Sequence, residues 1–192
     1  MAAELPPQDM IDEFVGSAHG DFGRVKELLA EHPALLNARA VWNESAIEAA
    51  AQTGRVEIIE FLLAAGAPLS ICASAVLGRT ADVQAYLKAD PAQANARGAH
   101  GIPVLYHAAI RGQAAIAEML LAAGAEINGD EGGNPAIHGA FLFRQPAMVE
   151  WLLGRGANVN AKNYEGKTPL KVALEKNQNE LADLLRRHGG TE

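Results

Sequence analysis

Six histidines and a single cysteine are the residues of this 192-residue chain whose types invite a search for nucleophiles, proton carriers and metal ligands. A helical metal site needs two ligands three or four residues apart. No two of His19, His32, His100, His107, His138 and His188 are so spaced. Cys72 has no second thiol and no evident base, so it reads as a small apolar residue in a helix interface rather than a nucleophile. Gly132 and Gly133 lack the Gly-Lys-Ser/Thr ending of a phosphate loop and read as turn residues. Glu57, Glu60, Glu118, Glu150, Glu180 and Asp183 recur on the second helix of successive units, the pattern of solvated faces rather than of an acid–base pair. No catalytic residue, metal site or cofactor is expected, which leaves non-covalent recognition.

The elements that would position a recognition surface follow from composition. With 38 Ala and 21 Leu against ten aromatics, the chain favours helices packed through small residues over a sheet sandwich. A hydrophobic content of 49% excludes wholesale disorder. The net charge of -7, with no run of Lys or Arg, argues against a nucleic-acid or anionic-membrane partner. The uncharged stretch from Phe61 to Gly78 has the length of a membrane span, but Gly66, Pro68, Ser70 and Ser74 interrupt it. The residues Met1 to Pro7 lack the basic and apolar blocks of a signal peptide, and a lone cysteine forms no internal disulfide. A reducing, cytoplasmic setting is therefore expected.

Internal repetition organises the chain. Leu-Leu-Ala-Ala-Gly-Ala occupies residues 62–67 and again 120–125; Leu-Leu-Gly-Arg-Gly-Ala occupies 152–157. Gly124 to Gly156 is a step of 32 residues and Gly156 to Gly189 a step of 33. Pro33, Ala34, Asn37, Ala38 and Arg39 recur as Pro91, Ala92, Asn95, Ala96 and Arg97, a shift of 58 that marks the duplication of a paired unit. Thr168 suits a helix N-cap with Pro169 at the first helical position, and Ser45 with Glu48 has capping-box spacing. Ala49 to Ala51, Ala108 and Ala109 let a neighbouring helix approach closely. Ile58, Ile59, Leu62 and Leu63 give the following helix an apolar stripe.

Residues 160–170, Asn-Ala-Lys-Asn-Tyr-Glu-Gly-Lys-Thr-Pro-Leu, together with the recurring Leu-Leu-x-x-Gly-Ala, resemble the ankyrin repeat family over about nine-tenths of the chain. That resemblance implies an all-α solenoid forming a single domain over residues 1–192. Its six helix-turn-helix units lie near residues 8–40, 41–70, 71–97, 98–128, 129–160 and 161–190, joined by β-turn fingers. It implies a structural role for His138 and His107, and a protein partner bound in a concave groove.

Two departures individualise the array. Gly54 to Gly78 is a step of only 24, so the third unit lacks its finger and is expected to be a weak joint. Asn43 takes the glycine-like place of the first full finger, and Trp42 beside it is either a contact residue at the tip or a lid over the first unit. The family pattern also turns the two residues before each central glycine toward the groove: Gln52 and Thr53, Val76 and Leu77, Ile110 and Arg111, Leu142 and Phe143. The middle of that groove is then apolar, the mark of a binding site. An alternative turns Leu142 and Phe143 into the core, because Arg144 replaces the glycine of the fifth unit. Asn37, Asn95 and Asn160 resemble substrates of asparaginyl hydroxylases, although a turn-stabilising role is favoured. The expected function is that of a monomeric, non-catalytic protein-binding module; the alternative is an inhibitor or immunity-type protein that masks a toxin or enzyme.

Overall fold

Side-chain caps and tight turns cut the chain into short helices. Thr168 accepts a hydrogen bond from the Lys171 amide, and Pro169 follows it where no amide donor is needed. The Glu48 carboxylate reaches back 2.8 Å to the Ser45 amide and 2.8 Å to its hydroxyl, and Ser70 accepts from the Ala73 amide. The computed structural model describes residues 6–192; Met1 to Leu5, on which most of the amino-terminal reading rests, lie outside the described residues. Among the described residues, twelve α-helices form six antiparallel pairs: α1 (Gln8–Ser17) with α2 (Phe22–Glu31), α3 (Ala46–Gln52) with α4 (Val56–Ala64), and α5 (Ile71–Leu77) with α6 (Thr80–Ala89). They continue with α7 (Val104–Ala109) and α8 (Ala114–Ala122), α9 (Ala136–Leu142) and α10 (Pro146–Leu153), and α11 (Pro169–Glu175) and α12 (Asn179–Arg187). None of the helices among the described residues is long and apolar enough to cross a membrane.

The turn inside the second to the sixth pair repeats a left-handed residue. Gly54, Gly78 and Gly112 have φ of 67°, 71° and 64°. Arg144 and Asn177 hold the same conformation at 55° and 54°, so the fifth unit keeps the turn at a backbone cost of about 1–2 kcal/mol for Arg144. Fingers project between pairs. Bridges Arg39–Ser45 and Arg97–Pro103 close two of them in the same register, 58 residues apart. Asn43 (φ 61°) and Gly101 (φ 73°) turn their tips. Among the described residues no finger precedes α5, because Pro68, Leu69 and Ser70 run straight into the helix.

Asparagines stitch successive units. Asn95 donates to the Gly124 carbonyl and accepts from the Glu126 amide; Asn128 does the same with Gly156 and Asn158, and Asn160 with Gly189 and Thr191. Asn37 holds the equivalent place, but the residue opposite its oxygen is Pro68, which has no N–H to give. The stitch is therefore missing where the finger is missing. The Asn95 and Asn160 side chains bond the exposed turn of the next unit at both ends, the turn-stabilising role favoured from the sequence.

The core falls into two clusters that meet in α5. Ala73 and Val76 belong to the cluster of the first two units, which also takes in Ile102, Tyr106 and Ile110 from the fourth. Ile71, Cys72 and Ala75 belong to the cluster that runs to Leu185 at the carboxy-terminal end. Residues 71–76 are all buried, whereas Val83 is the one fully buried side chain of α6. Weakness in the third unit thus sits in its second helix. In hydrogen exchange α5 is expected to be as slow as α7 and α6 faster than α8; a third unit that exchanges uniformly would contradict the division.

Candidate binding surface

The missing finger does not leave an open groove; it lets the second unit close onto the fourth. In most of the array the turn glycine of one unit receives the side chain that follows the turn of the next. A methyl group at Gly20 would meet Arg55, one at Gly78 would meet Gln113, and one at Gly112 would meet Gln145. Gly54 skips its neighbour. A methyl there would lie 3.4 Å from both Ile110 Cδ1 and Arg111 Cδ, and 3.8 Å from Phe143 Cε1. The turn of the second unit therefore looks past the third, onto the fourth and fifth.

This closure corrects the expected apolar groove floor. Val76 and Ile110 are each 1% exposed and pack in the shared core with Ala51 and Tyr106, so neither can touch a partner directly. Their positions in the repeat are the expected ones, but without a finger to space the units, those positions become internal. Leu77 and Phe143 are half-buried against the amino-terminal cluster, and Leu142 half-buried against the carboxy-terminal one. The two residues before Arg144 thus straddle the cores, partly covered and partly open. Gln52 is half-buried with its Oε1 unpaired, and the Thr53 hydroxyl turns back to the Ala49 carbonyl at 3.0 Å. Arg111 is exposed at the rim.

Trp42 is 41% exposed, and its indole N–H donates to Glu44 at 2.7 Å. Val41 beside it is 69% exposed, and its amide is tied to Asp12 of α1 at 2.9 Å. The tip is thus held rigidly against the first unit while its apolar surface stays outside. The exposed large hydrophobic residues among the described residues are Val41, Trp42 and Tyr164, and all three lie on finger tips. At the other end of the array the fifth and sixth fingers are joined by backbone hydrogen bonds, Gly132 to Lys162 at 2.8 Å and Tyr164 to Gly133 at 2.9 Å.

Glu44 was not singled out by sequence reasoning. It is fully buried, 3.6 Å from His19 Nε2 and 3.4 Å from His100 Nε2, and its Oε1 has no partner. One carboxylate thus joins the first unit, its own finger and the fourth finger. The signal was present in the 58-residue shift, which aligns Glu44 with the buried aliphatic Ile102 and Trp42 with His100.

The remaining chemistry is quiet. Burial, aided by the Glu48 charge, pushes the Cys72 thiol up to about 12, so it stays protonated at neutral pH. His138 bonds through Nε2 to the Ala161 carbonyl of the next finger at 2.7 Å, and burial lowers its proton affinity despite that bond. Among the described residues no group of three His, Cys, Asp or Glu side chains has an arrangement that could hold a metal ion. Residues 69–163 match the family model for ankyrin repeats in three copies, a span that covers the third, fourth and fifth units. No curated protein matches the chain.

Burial pushes His107 down to about 4 from an ordinary 6.5, although its bond to the Pro103 carbonyl works the other way. Between those values the unfolded chain takes up a proton that the folded chain refuses. His107 therefore contributes stability in full above pH 6.5 and loses it as the pH falls toward 4, by roughly 3 kcal/mol. Melting curves of the His107→Phe variant are expected to fall less steeply than wild type over that range. Parallel curves would show that the ring is not buried in its neutral form.

Proposed function

From a chain that belongs to the ankyrin repeat family, we propose a non-catalytic protein-binding module, monomeric and cytoplasmic, that holds its partner on the finger tips and the half-open rim of the closed groove. The observation that carries this reading is the placement of the large exposed hydrophobic side chains on finger tips, with Val41, Trp42 and Tyr164 held out by rigid turns. Aromatic side chains fixed before binding lose little entropy on contact, which favours them as anchors. Leu77, Leu142 and Phe143 add partly open apolar surface, and Gln52, Thr53 and Arg111 supply polar margins. Val76 and Ile110 support that surface from inside. The chain's negative charge favours a protein over a nucleic acid as partner.

Photo-cross-linking from position 42 and from position 164 in extract of the native host is expected to capture the same protein. Against that captured protein, Trp42→Ala is expected to weaken binding about 10- to 100-fold, an anchor loss of about 1.4–2.8 kcal/mol. The double change Leu77→Asp with Phe143→Asp should weaken it further if the variant still melts cooperatively. Unchanged affinity in Trp42→Ala would remove the finger tips from the interface.

A further inference from the structure

Loss of a finger leaves a space as well as a contact. Between α3, α5 and the stem of the fourth finger lies a cavity of about 290 Å³, just under the roughly 300–1,000 Å³ usual for pockets that hold drug-sized ligands. Ala51, Leu69, Ile71 and Ala99 make its walls apolar. The two charged side chains on it are already paired: Glu48 with Arg39 at 2.9 Å, and Arg97 with Asp130 at 2.9 Å. The Tyr86 hydroxyl gives its proton to the Leu69 carbonyl at 2.7 Å.

Of the fully buried polar side chains on it, His107, 1% exposed, is the one left open, and the half-buried Gln93 stands at its edge. Its Nδ1 lies 2.9 Å from the Pro103 carbonyl, which only accepts, so Nδ1 carries the proton. Nε2 then presents a lone pair, and it has no hydrogen-bond partner among the described residues. The ring lines the cavity beside Gly98, where a methyl group would stand 3.2 Å from Nε2 and 3.4 Å from Cys72 Sγ. Gly98 has φ −82° and ψ −159°, an extended backbone that does not require glycine. What glycine supplies here is room in front of an acceptor that faces the cavity and that no protein group answers.

We propose that this cavity is a binding site for a small neutral ligand with a compact apolar body and one hydrogen-bond donor, which it gives to His107 Nε2. An alcohol or N–H heterocycle of about the size of phenol has that chemistry. Such a ligand touches the second unit at Ala51, the third at Ile71 and the fourth at His107, and so clasps the array where its stitching is interrupted. Binding to the folded chain alone then raises its melting temperature.

Phenol and benzene, titrated into the full chain and followed by calorimetry and by amide shifts in NMR, test the assignment. Phenol is expected to saturate one site, raise the melting temperature and shift residues 70–73, 97–99 and 107. Benzene should bind at least about tenfold more weakly, because it leaves the histidine unanswered. Gly98→Ala, with circular dichroism confirming its fold, should abolish binding of both, and His107→Phe should erase the preference for phenol. If His107→Phe fails to fold, the phenol-to-benzene ratio in wild type and the Gly98→Ala result decide the matter. Titrations that never saturate, shifts centred elsewhere, or undiminished phenol binding in Gly98→Ala would overturn the proposal.

Discussion

Each helix pair in this array has an apolar face that it cannot cover alone, and the third pair must find cover without the finger that spaces its neighbours. That constraint shapes the centre of the molecule. Helix α5 is buried along residues 71–76 because it is clasped from both sides, by the second unit through Ala73 and Val76 and by the fourth through Ile71, Cys72 and Ala75. The turn at Gly54 reaches over it to Ile110 and Phe143. The shortened unit is thus enclosed, with residues of the second and fourth units sharing one core cluster across it.

The cost of this closure is visible in polar groups. Glu44 stands fully buried where the duplicated finger has Ile102, and three partners from three parts of the chain converge on one of its oxygens while the other stays unpaired. A carboxylate in such a place must be compensated locally, and the indole N–H of Trp42 is its closest partner. This bond also explains why an aromatic side chain can remain 41% exposed without being loose: its polar edge is anchored inward while its apolar face is turned out.

The periodic features were legible in the sequence because they are local. The glycine period, the Thr168–Pro169 start, the pairing of Ser45 with Glu48 and the absence of a finger before α5 all follow from a few adjacent residues, and the helices lie where these place them. The left-handed turn at Arg144 could not be read from propensity, because the neighbouring packing overrides the preference for glycine. The fate of Val76 and Ile110 was illegible for another reason. Repeat register says which way a side chain points, but whether solvent or another unit lies in that direction depends on how a gap of some nine residues closes, a property of the whole array. The same holds for the histidines: His107 bonds within its own unit, whereas His138, one place earlier in its repeat where the fourth unit has Tyr106, reaches into the next finger.

A chain that contains the same paired unit twice, 58 residues apart, is open to exchange: one copy can settle where the other belongs, within a molecule or between two. The buried residue of each finger distinguishes the copies. In the place of Ile102, Glu44 would keep the indole of its own finger but lose the His19 imidazole, whose matching position in the other copy is Leu77, and in the reverse exchange Ile102 would leave His19 without its acceptor. Pro68 acts similarly, because it offers no amide to an asparagine in the place of Asn95. The asymmetry thus labels each half of the duplication with its own address, and misassembled pairings are penalised wherever the two halves would otherwise look alike.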